Sequence, residues 1–153
     1  MSTNLTAVLQ QLLQNTSNLK VLRELMTPDV TYVSLNFNNP ELKKIEPWAG
    51  THKGPQELAD VFAAIQRYWT TLDFKVTDTI EQGDRVAFFG SSTYKSNVTG
   101  KEIMSPFGLL ARFERNKVAY IQFLEDSYGT AGSFKTGGKT RFHSDPSGKE
   151  FEV

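Results

Sequence analysis

The sequence predicts an α+β domain, with helices gathered on one face of a mostly antiparallel sheet. Three observations predict it. The first 70 residues carry apolar positions at helical spacing, interrupted by one β-rich run. After them come four strand-like runs joined by short turns, an antiparallel meander. The resulting order, α-α-β-α-β-β-β-β, lacks the strand–helix alternation of a parallel sheet.

Leu5, Val8, Leu9, Leu12 and Leu13 form the first helical stripe, with Thr3 or Asn4 as its N-cap. "SNLKVLRELM" reads as a second, shorter helix that Pro28 ends. "VTYVSLNF" (residues 30–37) is β-branched and aromatic, hence a strand. A Pro/Gly-rich connection holding Trp48 follows, and a tryptophan there packs against the core or walls a pocket. Gly54-Pro55 opens a helix over residues 56–70, its stripe made by Leu58, Val61, Phe62, Ile65, Tyr68 and Trp69. "LDFKVTDTI" alternates, placing Leu72, Phe74, Val76 and Ile80 on one side. "RVAFFGSSTYKS", "EIMSPFGLLARFE" and "VAYIQFLED" complete the meander. From Ser133 the composition turns polar, which gives one domain over residues 1–134 and a tail over 135–153. That tail is mobile or packs against a subunit partner.

Composition narrows the function. Lys+Arg and Asp+Glu both number 17, so the basic surface that nucleic acid or an anionic membrane needs is missing. There is no cysteine, which removes thiolate metal sites and a Cys nucleophile. The two histidines, His52 and His143, stand in no ligand-like cluster, so no metal is expected. "GSFKTGGKT" lacks the glycine spacing of a phosphate loop. The N-terminal stretch has no basic n-region and no run reaches membrane-spanning length, so a cytoplasmic protein is expected.

The inner face of the sheet holds the candidate site. Tyr32, Ser34 and Asn36 alternate on the first strand, Phe107, Leu109, Ala111 and Phe113 on the fourth, and Ile121, Phe123 and Glu125 on the fifth. Glu125 stands out, because a carboxylate continuing an Ile-Phe row is rarely buried without a partner. It marks either a strand end or the polar anchor of an apolar pocket.

"LMTPDVTYVS", "PWAGTHKGPQELADVF", "GDRVAFFG", "TGKEIMSPF" and "FLEDSYGTAGSF" together resemble the SnoaL-like, ketosteroid-isomerase-related proteins of the NTF2-like superfamily, over residues 4–134. The resemblance implies a cone, a curved sheet wrapped around helices with an apolar pocket at its open end. It also implies that the Trp48 segment closes the pocket mouth. The catalytic residues of the steroid isomerases do not carry over. Their aspartate base matches Ser34, their oxyanion-binding tyrosine falls about Leu12, and their protonated aspartic acid falls near Leu109. The expected protein therefore binds a small hydrophobic molecule, without a cofactor, in a pocket lined by Tyr32, Ser34, Asn36, Trp48, Phe62, Phe107, Leu109 and Phe123. Glu125 is the candidate acid/base and Asp126 a weaker one that also suits a strand-end cap. The alternative is a non-catalytic ligand-binding or protein-interaction domain. A homodimer through the outer sheet face is expected, with Phe88 and Leu110 on that face.

Overall fold

The computed structural model describes residues 4–153. Thr3, the alternative first cap, lies outside them. The Asn4 side chain caps α1 (Leu5–Leu13) by accepting from the Ala7 N–H at 3.1 Å. Helix α2 (Leu19–Leu25) runs directly into β1 (Met26–Ser34). Pro28 thus ends no helix. It lies inside β1, where the pairing shifts between Met26 and Thr31 and the missing N–H is tolerated.

The connection that follows is more ordered than its composition suggested. Asn39 and Pro40 start a short helix, α3 (Pro40–Ile45), and β2 (Gly50–Lys53) pairs antiparallel with β1. Helix α4 spans Gly54–Tyr68, about 22 Å at 1.5 Å per residue. Trp69 is not its last turn but the first residue of β3 (Trp69–Gln82). Strands β4 (Arg85–Ser96), β5 (Glu102–Glu114) and β6 (Lys117–Glu125) follow as the expected meander. Arg115 and Asn116, at φ 51° and 65°, make the tight turn between β5 and β6.

These strands form one curved sheet in the order β2-β1-β6-β5-β4-β3, antiparallel except where β1 lies parallel to β6. Helix α4 packs on β1, and α1 and α2 join it on the same side. Leu9, Leu12, Leu22, Leu58, Val86, Phe88, Ala111 and Ile121 make the core between them. After β6 comes α5 (Ser127–Gly132), and the tail ends in a small exposed hairpin of β7 (Arg141–Phe142) and β8 (Phe151–Glu152).

Two expectations about faces fail for the same reason, register. Phe88 pairs with Leu109, not Leu110, so it faces inward and is buried. In β3 the pairing slips between Thr71 and Asp73 and again between Val76 and Asp78. The second slip reverses the alternation, so Phe74 and Val76 line the inside while Ile80 shares the outer row with Ala87. Gly90 sits beside this slip, opposite Val76, because no larger residue fits. A Cβ there would meet the Lys75 carbonyl oxygen at 1.8 Å and the Phe107 ring at 2.9 Å.

Candidate active site

The open end of the sheet holds a cavity of about 440 Å³ between α1, α4 and the inner strand faces. Leu12, Leu58, Phe62, Ile65, Phe74, Val76, Phe88, Leu109, Ile121 and Phe123 form its apolar wall. Gln10, Gln14, Thr16, Gln66 and Thr71 supply amides and hydroxyls, and Tyr32 and Tyr94 are its phenols. Among the described residues, no lining residue carries a charge.

Behind Tyr94 lies the carboxyl group. The Tyr94 hydroxyl donates to Glu125 Oε1 at 3.0 Å, and the Ser92 hydroxyl donates to Oε2 at 3.4 Å. Burial pushes the Glu125 carboxyl up to about 7, with Tyr94 opposing the rise, the nearby Glu46 carboxylate adding to it and Ser92 opposing it. Burial likewise pushes the Tyr94 and Tyr32 phenols well above their ordinary value, and Glu125 adds to both shifts. Both therefore stay neutral, as hydrogen-bonding groups rather than phenolates.

An aromatic stack fixes Tyr94. Its ring lies 4.5 Å from that of Trp69, at 7°. Trp69 packs in turn against Phe134 at 5.1 Å and Trp48 at 4.9 Å, and its indole N–H donates to Ser133 Oγ at 2.9 Å. Trp48 completes the cluster edge-on to Tyr68, at 5.3 Å.

A profile of the SnoaL-like domain matches residues 8–121. The chain belongs to the SnoaL-like family. It is 41% identical over 132 residues to patulin synthesis protein F of Aspergillus clavatus, covering 84% of this chain and 67% of that protein. It is 39% identical over 132 residues to patulin biosynthesis cluster protein F of Penicillium expansum, covering 84% and 66%. The chain thus spans about two thirds of the length of these relatives. Among solved structures, an NTF2-like protein of Burkholderia thailandensis superposes with a TM-score of 0.74 at 15% identity, over 88% of this chain and 100% of that one. A candidate polyketide cyclase of Streptomyces antibioticus gives 0.63 at 13%, over 86% and 98%. The fold is NTF2-like.

Within this SnoaL-like fold the residues singled out from sequence separate into three groups. Tyr32, Phe62, Leu109 and Phe123 line the cavity. Ser34 and Phe107 point the expected way but are buried outside the lining, Phe107 stacked on Phe74 at 4.6 Å and tilted against Phe123 at 5.4 Å. Asn36, Trp48 and Asp126 belong elsewhere. Leu35 takes φ 66°, which ends β1 and leaves Asn36 exposed, beyond the alternation that would have turned it inward. Trp48 is only 3% exposed and is no lid, since the aromatic cluster claims its ring. Asp126 caps α5, its side chain accepting from the Gly129 N–H at 3.1 Å.

Three buried polar residues of this SnoaL-like fold escaped the sequence reading. Tyr94 and Ser92 stand in phase with Phe88 on β4, and knowing that register would have found them. Glu46 gave no such signal. It precedes Pro47 in a connection, where a charged residue is ordinarily exposed, yet it is 0% exposed.

Proposed function

We propose that the protein binds a small, uncharged, oxygenated hydrophobic compound in this cavity and moves a proton on it without a cofactor. Glu125 is the general acid/base and Tyr94 the group through which it acts. One observation carries the reading. A buried carboxyl pushed up to about 7 bonds to a tyrosine of the cavity wall, and a group of that pKa suits proton transfer near neutral pH. The protonated Glu125 donates to Tyr94, freeing the phenol hydrogen for a ligand carbonyl. The ionised form accepts the Tyr94 proton while Tyr94 takes one from the ligand, at a hydroxyl or at the carbon next to its carbonyl, so that the proton removed ends on Glu125. The absence of charge on the cavity wall selects against carboxylate and phosphate ligands. The likeness to two proteins named for patulin synthesis supports a role in small-molecule biosynthesis.

Hydrogen–deuterium exchange in D₂O tests this, with neutral cyclic ketones and hydroxyquinones as probes and proton NMR as readout. The wild-type protein should accelerate exchange next to the carbonyl, and Glu125→Gln should abolish the acceleration. Equal rates with both proteins would defeat the reading. Binding without chemistry is the second reading. It is favoured by the indirect position of Glu125, which is not itself part of the cavity wall.

A further inference from the structure

One cross-strand row runs unbroken over all six strands of the sheet. Gln82 on β3 pairs with Arg85 on β4, Arg85 with Arg112 on β5, and Arg112 with Tyr120 on β6. Tyr120 then pairs with Thr31 on β1, and Thr31 with Lys53 on β2. The neighbouring row, Val86 and Ala111, is buried in the core, so by alternation this one faces out. Two arginines therefore stand directly opposite one another, an arrangement that costs stability in an antiparallel pair. Around them is a hollow of about 140 Å³ lined by Thr31, Arg85, Arg112 and Tyr120. An irregularity on each side of β6 accompanies it. Ala119 is an extra residue between the pairs Arg112–Tyr120 and Phe113–Val118, a β-bulge, and β1 leaves register between Met26 and Thr31.

We propose that Arg85, Arg112 and Thr31 form a second ligand site, on the outside of the sheet, for a single small oxyanion, a carboxylate or phosphate group. The site is separate from the inner cavity, whose uncharged wall disfavours those same groups, and does not rest on the role proposed for Glu125.

The three donors line one hollow with their hydrogens unspent. The Arg112 guanidinium lies over the Tyr120 ring, 4.4 Å from its centroid, which leaves its N–H edge for a bidentate acceptor. Among the described residues Arg112 forms no ion pair. Thr31 Oγ1 accepts from Lys53 Nζ, so its own O–H is left to donate. The Tyr120 hydroxyl donates to Gln122 Oε1 at 3.1 Å, so its ring serves as a platform and not as a donor. Two carboxylates border the hollow, and each faces a cation of its own. Asp84 meets Arg85 Nε at 3.8 Å with both side chains more than half exposed, and a pair so placed is worth little. Glu114 stands opposite Lys117 across the turn between β5 and β6. Arg112 is thus the cation without an acid, and an oxyanion beside it offsets the repulsion from Arg85 with charge-assisted bonds. The hollow has about a third of the 440 Å³ of the inner cavity, room for one such group and not for a nucleotide.

Inorganic phosphate and acetate, each titrated against chloride at constant ionic strength, test the site, with the arginine Nε–H signals and the Ala119 amide followed by NMR. The Arg85 and Arg112 signals of the wild type should shift and saturate at millimolar anion. Arg112→Gln should weaken that binding about tenfold or more, whereas Arg67→Gln, in the last turn of α4, should leave it unchanged. Removing one of two facing cations relieves repulsion, so the Arg112 variant should fold, and phosphate should raise the melting temperature of the wild type but not of this variant. Tighter binding of phosphate names a phosphate ester as the ligand and tighter binding of acetate a carboxylate, and either supports the site. Shifts that never saturate, or that arise equally at Arg67, mean an adventitious ion only and overturn it. Arg112 shifts that grow with protein concentration before any anion is added mean that a carboxylate of a second copy sits there, which overturns the assignment to a free anion.

Discussion

The Tyr94 hydroxyl on β4 reaches past β5 to donate to Glu125 Oε1 on β6, at 3.0 Å. The bond joins the cavity wall to a carboxyl that the cavity does not itself touch. Its sign on Glu125 is known, because a donor to the ionised form holds the pKa down. Tyr94→Phe should therefore move the Glu125 midpoint above about 7 while leaving the stacked ring in place. A fall in the midpoint would show that this bond does not form in solution.

Replacing Glu125 itself should separate binding from chemistry. Glu125→Gln keeps the shape, so affinity for a neutral ketone should survive, while any turnover falls about 10²–10⁴-fold, the usual range for a lost acid/base. Calorimetry and rate measurements on one ligand check both halves.

The buried acid should also mark the stability curve. Folding raises the Glu46 pKa from an ordinary 4.5 to about 7, so the folded state holds its proton longer than the unfolded state. Its contribution is fully present below about 4.5 and is lost as pH rises through about 7. At about 1.4 kcal/mol per pH unit the loss comes to about 3.5 kcal/mol. Urea unfolding of Glu46→Met should show a shallower decline between pH 5 and 8, about those limits, than the wild type. Parallel declines would contradict the burial of Glu46.

Trp48 tests the difference between a lid and a core residue. A lid could be truncated with little effect on folding, whereas Trp48→Ala should destabilise by about 3–5 kcal/mol, since its ring packs on Trp69 and Tyr68. Thermal unfolding distinguishes them.

Much of this was legible in the chain. Patterns of period 3.6 and 2 carried α1, α4 and the meander, and the phrases around Trp48 and Glu125 carried the family resemblance. Three things were not legible. The slips in β3 depend on which residues pair, and one strand's alternation cannot reveal that. The inward turn of Glu46 and the left-handed Leu35 are set by tertiary packing against local preference. The capping signal Asn39-Pro40 was present for α3 but reads equally well as a loop.

The outer face holds the material for self-association, though not at Phe88. Phe89 and Leu124 flank Gly108 in one cross-strand row, and both are about half exposed, with Met104 more so. We propose that two copies pair through this row. Sedimentation should show a dimer at micromolar concentration that Phe89→Lys converts to monomer. A monomeric wild type would refute it.

The claim that everything else depends on is the state of Glu125. Carbon-detected NMR of the wild-type protein across pH 4 to 9, limits chosen about its titration range, reads that state without knowledge of any ligand. A midpoint near 7 places a half-protonated carboxyl beside Tyr94, as acid/base chemistry there requires. A midpoint near 4.3, the ordinary glutamate value, would make Glu125 a solvated strand end and remove the catalytic reading.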